Sequence, residues 1–212
     1  MKKILCFGDS NTYGYNPVDG SRYDKNTRWT GVLSKLLQDK AEIIEAGCNN
    51  RTGFVNNPQG IKYTGFLALP EYLELNPDIV ILAIGANDVQ KFYNIELIEI
   101  ERGIKNLISI VKNRLNNAKI ILLVPLRLTE DVLSGGFSFQ FDEKSIEKSL
   151  HFPSIYKKAA KETGTFCINL NDEACVSKAD GLHYSPECHQ LIARRVFEFI
   201  FADFKNSSNL SA

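Results

Sequence analysis

The sequence has no excess charge of either sign: 25 Lys and Arg face 25 Asp and Glu over 212 residues. That removes the electrostatic footprint of a dedicated nucleic-acid binder, and no nucleic-acid partner is expected. It also lacks long apolar runs. None approaches the roughly 20 residues a membrane helix needs, so no membrane partner is expected. The opening run Ile4-Leu5-Cys6-Phe7 stops at Gly8. It is too short for the apolar core of a signal peptide, which needs about 7–15 residues. It reads instead as a buried first strand in a cytoplasmic protein. Cysteines are few and odd in number: Cys6, Cys48, Cys167, Cys175 and Cys188, with no C-x-x-C pair. Neither a disulfide framework nor a zinc ribbon follows. Nothing has zinc-ligand spacing, and neither G-x-G-x-x-G nor a Walker pattern occurs, so no metal or cofactor is expected.

What is present is an ordinary globular balance, 44% hydrophobic and 24% charged, enough to bury a full core. One domain over 1–205 is expected, with a frayed Ser/Asn-rich tail at 206–212. Short apolar runs at Ile4–Phe7, Ile43–Glu45, Ile79–Ile84, Ile120–Val124 and Phe166–Leu170 are bounded by Gly, Asn or Pro and read as five strands. Continuous apolarity over Ile79–Ile84 and Ile120–Val124 is what parallel strands covered on both faces require. Amphipathic spacing predicts helices over Thr30–Lys40, Ile95–Leu115, Ser145–Thr163 and Pro186–Phe204. Alternating strands and helices imply βαβ units and an α/β fold with a parallel sheet. Three polar stretches interrupt the alternation: Asn16–Asn26, Asn49–Tyr63 and Arg127–Phe141. All follow strand ends, where open α/β sheets place their ligands.

Three of these strand ends carry candidate chemistry. Gly8-Asp9-Ser10-Asn11 can hold a serine hydroxyl over the sheet edge, beside free backbone N–H groups for an oxyanion. Gly85-Ala86-Asn87-Asp88 offers the Asn87 amide as a donor for developing negative charge. Asp180-Gly181-Leu182-His183 can bring a carboxylate to an imidazole within one tight loop, fixing its tautomer and leaving the other nitrogen as base. Of three histidines, His151 and His189 fall in predicted helices, so His183 is the general-base candidate. Taken singly, each motif reads more simply as a cap or a solvated turn. Their conjunction at successive strand ends is much harder to obtain by chance.

Together these segments resemble the first, third and fifth sequence blocks of the SGNH/GDSL hydrolase family. Thr12-Tyr13-Gly14-Tyr15, Arg28-Trp29-Thr30-Gly31-Val32-Leu33 and Arg51-Thr52 are similar to its arylesterase branch. The resemblance spans residue 4 to about residue 200. It implies a flavodoxin-like three-layer α/β/α sandwich with a five-stranded parallel sheet, and ester hydrolysis through an acyl-enzyme. It further implies Ser10 as nucleophile, His183 as general base and acid, and Asp180 as orienting carboxylate. The oxyanion hole would combine the Ser10 N–H, a second-block N–H and the Asn87 amide. The sequence departs from the family at Asn11, where leucine is usual, and at Asn50, where Gly or Ala commonly precedes Arg-Thr. Because Asn tolerates positive φ, Asn50 is the expected backbone donor, with Gly47 the alternative. Arg51 reads as a structural anchor of the second-block loop. Tyr13, Tyr15, Trp29 and Phe54 are candidates to line the substrate pocket, against ordinary core packing as the alternative.

The expected activity is hydrolysis of small short-chain acyl esters, acetylated sugars among them. Transfer of the acyl group to an alcohol is a variant on the same site. A catalytically silent flavodoxin-like binding module is the reading from another class. Gly135–Phe141, with three aromatics at alternating positions, is expected to form either a lid or a contact between subunits of a homo-oligomer.

Overall fold

The computed structural model describes residues 1–209, with side chains through Ala202. Five strands, β1 (Lys2–Gly8), β2 (Ala41–Gly47), β3 (Ile79–Ala83), β4 (Lys119–Leu123) and β5 (Phe166–Ile168), pair in the order β2-β1-β3-β4-β5. Every pairing is parallel. The α/β sandwich expected from the sequence is therefore the fold.

Side chains alternate across a strand, and the two faces of this sheet bury different partners. Leu5, Phe7, Val80, Leu82, Ile120 and Leu122 pack with helices α3 (Gly65–Leu73), α4 (Leu97–Arg114) and α6 (Phe152–Thr163). Ile4, Cys6, Ile79, Ile81, Ile121 and Leu123 pack with α2 (Trp29–Leu37) and α7 (Pro186–Asn209). Thus the connection leaving β1 runs over one face and the one leaving β3 over the other. Where neighbouring strands send their chains to opposite faces, a crevice opens at their carboxyl ends. A short helix α1 (Ser10–Tyr13) begins immediately beyond β1, and a 3₁₀ turn (Ala86–Val89) lies just beyond β3.

The helix predicted over Ser145–Thr163 is two, α5 (Glu143–Leu150) and α6, joined at His151. Pro153 cannot donate to a preceding carbonyl and its ring clashes with the turn before it, so a new helix must start. Helix α3 is not among the helices expected from the sequence, and it contains Pro70. It forms because Ala68, Leu69 and Leu73 are buried against the sheet, which offsets the one hydrogen bond Pro70 removes. The helix predicted from Thr30 ends as α-helix at Leu37 and continues as a 3₁₀ turn to Lys40. The tail expected at 206–212 falls beyond the described side chains, and 210–212 lie outside the described residues.

Candidate active site

The serine expected to be exposed over the sheet edge stands at the first position of α1. Asp9 supplies the cap, its Oδ1 accepting the Asn11 N–H at 2.9 Å. Capping by Asp9 leaves the Ser10 hydroxyl available for another partner. Gly8 makes the approach possible: a Cβ there would collide with the Thr12 side chain and the Ala83 carbonyl. Burial pushes the Asp9 carboxyl up to about 6, against the pull of its Asn11 hydrogen bond and the charges of His183 and Arg51.

Ser10 Oγ lies 2.8 Å from His183 Nε2, and His183 Nδ1 lies 2.6 Å from Asp180 Oδ2. Asp180 Oδ1 accepts two further hydrogen bonds, from the N–H groups of Leu182 at 3.0 Å and His183 at 2.9 Å. Gly181, at φ +67°, turns this loop where a Cβ would strike the Val132 backbone. Burial alone would raise the Asp180 carboxyl. The His183 hydrogen bond and charge, with the two N–H donors, outweigh it and hold the group below its ordinary value. An ionised Asp180 accepts only, so it selects the tautomer with the proton on Nδ1. Nε2 is then left to accept the Ser10 proton. All three side chains are buried.

Asn11 joins the two loops. Its Nδ2 donates to the Leu182 carbonyl at 3.3 Å and its Oδ1 accepts the Tyr184 N–H at 3.1 Å. The residue that departs from the family pattern therefore brackets His183 on both sides.

The oxyanion candidates Ser10, Asn50 and Asn87 line the same cleft. Asn50 adopts φ +59°, the left-handed conformation anticipated for it. Among the described residues, no hydrogen bond engages the N–H of Asn50 or of Ser10. Asn87 Nδ2 donates one hydrogen to the Arg51 carbonyl at 3.0 Å, and its second is left for the cleft that Asn87 lines. The second-block loop is held from beneath. Arg51, fully buried, donates from Nη1 to the carbonyls of Gly8 at 3.0 Å and Ala46 at 2.6 Å. It also stacks 4.5 Å over the Phe7 ring. Asp88, which reads as a mere cap in the sequence, accepts the N–H groups of Gly53, Phe54 and Val55 at 2.6, 2.7 and 3.1 Å. Burial pushes its carboxyl up to about 7 against those three donors. Gly47 packs closely against α1, where a Cβ would meet the Tyr13 backbone.

Ser10, His183, Asn50 and Asn87 line one cleft of about 240 Å³. One wall is aromatic. The Tyr15 ring lies 4.4 Å and the Phe137 ring 5.1 Å from the His183 ring, and the two meet edge to face at 5.9 Å. The lining also carries the amides of Asn49, Asn50, Gln59, Asn87 and Gln140. Within Gly135–Phe141, Phe137 faces the cleft, Phe141 is in the core and Phe139 is 62% exposed. The segment thus contributes the Phe137 ring and the Gln140 amide to the cleft lining.

Of the four aromatics proposed for the pocket, only Tyr15 lines it. Trp29 is fully buried between sheet and α7, its backbone N–H given to His189 Nδ1 at 3.2 Å. Phe54 fills the space left by Gly85 and Gly103 and faces an apolar void with Ile104 and Tyr156. Tyr13 carries the Arg22 guanidinium 4.6 Å above its ring. Arg28 and Thr30 serve structure: with Arg22 they surround Glu45, Arg28 through two 2.8 Å contacts. Among the described residues, no group of three or more His, Cys, Asp or Glu is placed to hold a metal, and no helix is long and apolar enough to cross a membrane.

Residues 6–191 match the model of the GDSL-like lipase/acylhydrolase family. No curated protein sequence matches the chain. Among solved structures, a carbohydrate acetylesterase family member from Sinorhizobium meliloti is 26% identical, with a TM-score of 0.86 over 94% of this chain and 97% of that one. The native aryl esterase of M. smegmatis is 25% identical, with a TM-score of 0.86 over 95% and 99%. The chain belongs to the GDSL-like lipase/acylhydrolase family and is a carboxylic ester hydrolase.

Proposed function

We propose that Ser10 is the nucleophile of an esterase that removes short acyl groups, acetyl above all, from polyhydroxylated alcohols such as sugars. The observation that carries this reading is the buried relay Ser10–His183–Asp180, with contacts of 2.8 and 2.6 Å, opening onto a cleft. As Ser10 Oγ bonds to the acyl carbon, its proton passes to His183 Nε2. The carbonyl π electrons move onto oxygen, which takes hydrogen bonds from the N–H groups of Ser10 and Asn50 and from Asn87 Nδ2. Collapse breaks the bond to the alcohol oxygen, which receives the proton from His183 and departs, leaving an acyl-enzyme. Water then gives a proton to His183 as its oxygen attacks the acyl carbon; collapse breaks the bond to Ser10 Oγ, which takes that proton back from His183, releasing the carboxylic acid and the free serine.

The two walls support the substrate class. Tyr15 and Phe137 crowd the space beside His183, which favours a short acyl chain. Five side-chain amides in the lining supply donors and acceptors for hydroxyl groups and little apolar area for a fatty chain. A relative of the same fold described as a carbohydrate acetylesterase points the same way. The test is a screen of p-nitrophenyl esters and acetylated sugars with the wild type and Ser10→Ala in parallel. Acetate release from acetylated sugars by the wild type alone is expected. Equal turnover by the variant would refute the assignment.

A further inference from the structure

Four side-chain amides run in a line behind the cleft, and one of them, Gln90, touches neither the cleft nor Ser10. The line starts at a group whose direction is fixed. The Arg51 backbone carbonyl can only accept, so the Asn87 atom 3.0 Å from it is the nitrogen. Asn87 Oδ1 is then turned the other way, where Gln90 Nε2 meets it at 3.0 Å. With its nitrogen committed to that side, Gln90 gives its second hydrogen to Asn50 Oδ1 at 2.9 Å. Asn50 must therefore present its own nitrogen outward, to Gln59 Oε1 at 2.6 Å. One backbone carbonyl thus sets the orientation of every amide in turn.

Both hydrogens of Gln90 Nε2 are spent on the side chains of two oxyanion candidates, one contributing its amide and the other its backbone N–H. Gln90 is buried, so water does not readily replace it. Asn50 has other anchors: its carbonyl accepts from Asn57 Nδ2 at 2.7 Å and its amide holds Gln59. Among the described residues, the Asn87 side chain has only the Arg51 carbonyl besides Gln90. Without Gln90 its Oδ1 would be a buried acceptor with no partner, and the amide, held by the Arg51 carbonyl alone, would pivot about that single bond. Its second hydrogen would then no longer be held toward the cleft.

We propose that Gln90 is a positioning residue of the oxyanion hole, holding the Asn87 amide with its nitrogen toward the reacting carbonyl. The inference rests on the Ser10 esterase reading and deepens it. The interaction matters only as charge develops on the substrate oxygen, so its loss appears in kcat and not in KM.

The experiment is a double-mutant cycle with p-nitrophenyl acetate on Gln90→Leu, Asn87→Ala and the pair, with melting temperatures measured alongside. Gln90→Leu is expected to lower kcat by about 10- to 100-fold, part of what a whole donor supplies, with KM within about twofold of wild type. In the Asn87→Ala background the same substitution should cost less than about threefold, because the group it acts through is gone. Gln90→Met, of similar length and without donors, repeats the test if Gln90→Leu does not fold. A kcat near that of the wild type, or an equal loss in both backgrounds, overturns the inference. Ser10→Ala in the same assay separates the two claims. Full activity there overturns the esterase reading and Gln90 with it, whereas an inactive Ser10→Ala beside an unaffected Gln90 variant overturns Gln90 alone.

Discussion

Replacing Asp180 by Asn changes one atom in size and little in shape, yet the structure makes it severe. Asp180 Oδ1 accepts the N–H groups of Leu182 and His183 at 3.0 and 2.9 Å. In the variant only the amide oxygen can fill that place, so the amide nitrogen must face His183 Nδ1. A donor there forces the ring to carry its proton on Nε2, the atom 2.8 Å from Ser10 Oγ. That nitrogen can no longer accept the serine proton, and the imidazolium loses its counter-charge. The triad is expected to lose about 10³-fold or more in kcat, roughly 4 kcal/mol of transition-state stabilisation. The backbone bonds of the loop survive, so the melting temperature should move by only a few degrees. The assay is steady-state hydrolysis of p-nitrophenyl acetate beside thermal unfolding. A folded variant within tenfold of wild-type kcat would refute the tautomer reasoning.

Asn87→Ala should lower kcat by about 10²–10³ with little change in KM, as expected for one oxyanion donor; a rise in KM alone, by steady-state kinetics, would make it a ground-state binding residue. Wild-type kcat/KM should peak between acetate and butyrate in a p-nitrophenyl ester series, and Phe137→Ala should move the peak to longer chains at about 0.8 kcal/mol per added methylene; an unchanged peak removes Phe137 from the acyl wall. His189 is buried and held neutral, its pKa lowered to about 3 by desolvation and then by the charge of His183. Its contribution to stability is therefore present above the unfolded imidazole range and lost as pH falls toward 3. His189→Gln should show a shallower decline in melting temperature between pH 6.5 and 4, and parallel profiles would contradict this.

The site was legible where chemistry is local. Asp180 and His183 are three residues apart on one turn, and Ser10 follows its strand directly, so the sequence places each at the same sheet edge. Asn50 was legible because its residue type suits the left-handed backbone that it adopts. The aromatics were not, since aromatic character favours core and cleft alike. Trp29 lies on the inward face of an amphipathic helix, and Phe54 fills the space above Gly103, a residue far along the chain. Asn11 reads as a tolerated change beside the serine, because both groups it bonds lie at the far end of the sequence. Gln59, Gln140 and Gln90 carry no motif; only the folded loops bring the first two to the cleft and Gln90 to the Asn87 amide. Helix α3 escaped because burial sustains it despite the local signal of Pro70.

The central claim is that one serine hydroxyl, activated by His183, attacks the ester. Its most direct measurement is mass spectrometry of the protein after inactivation by a fluorophosphonate. The account predicts one phosphonyl group per chain, bonded to Ser10 Oγ with loss of fluoride, and activity that falls in step with its incorporation. His183→Ala should label far more slowly, because the proton of Ser10 then has no acceptor. Label on another residue, or full activity in protein fully labelled at Ser10, would contradict it.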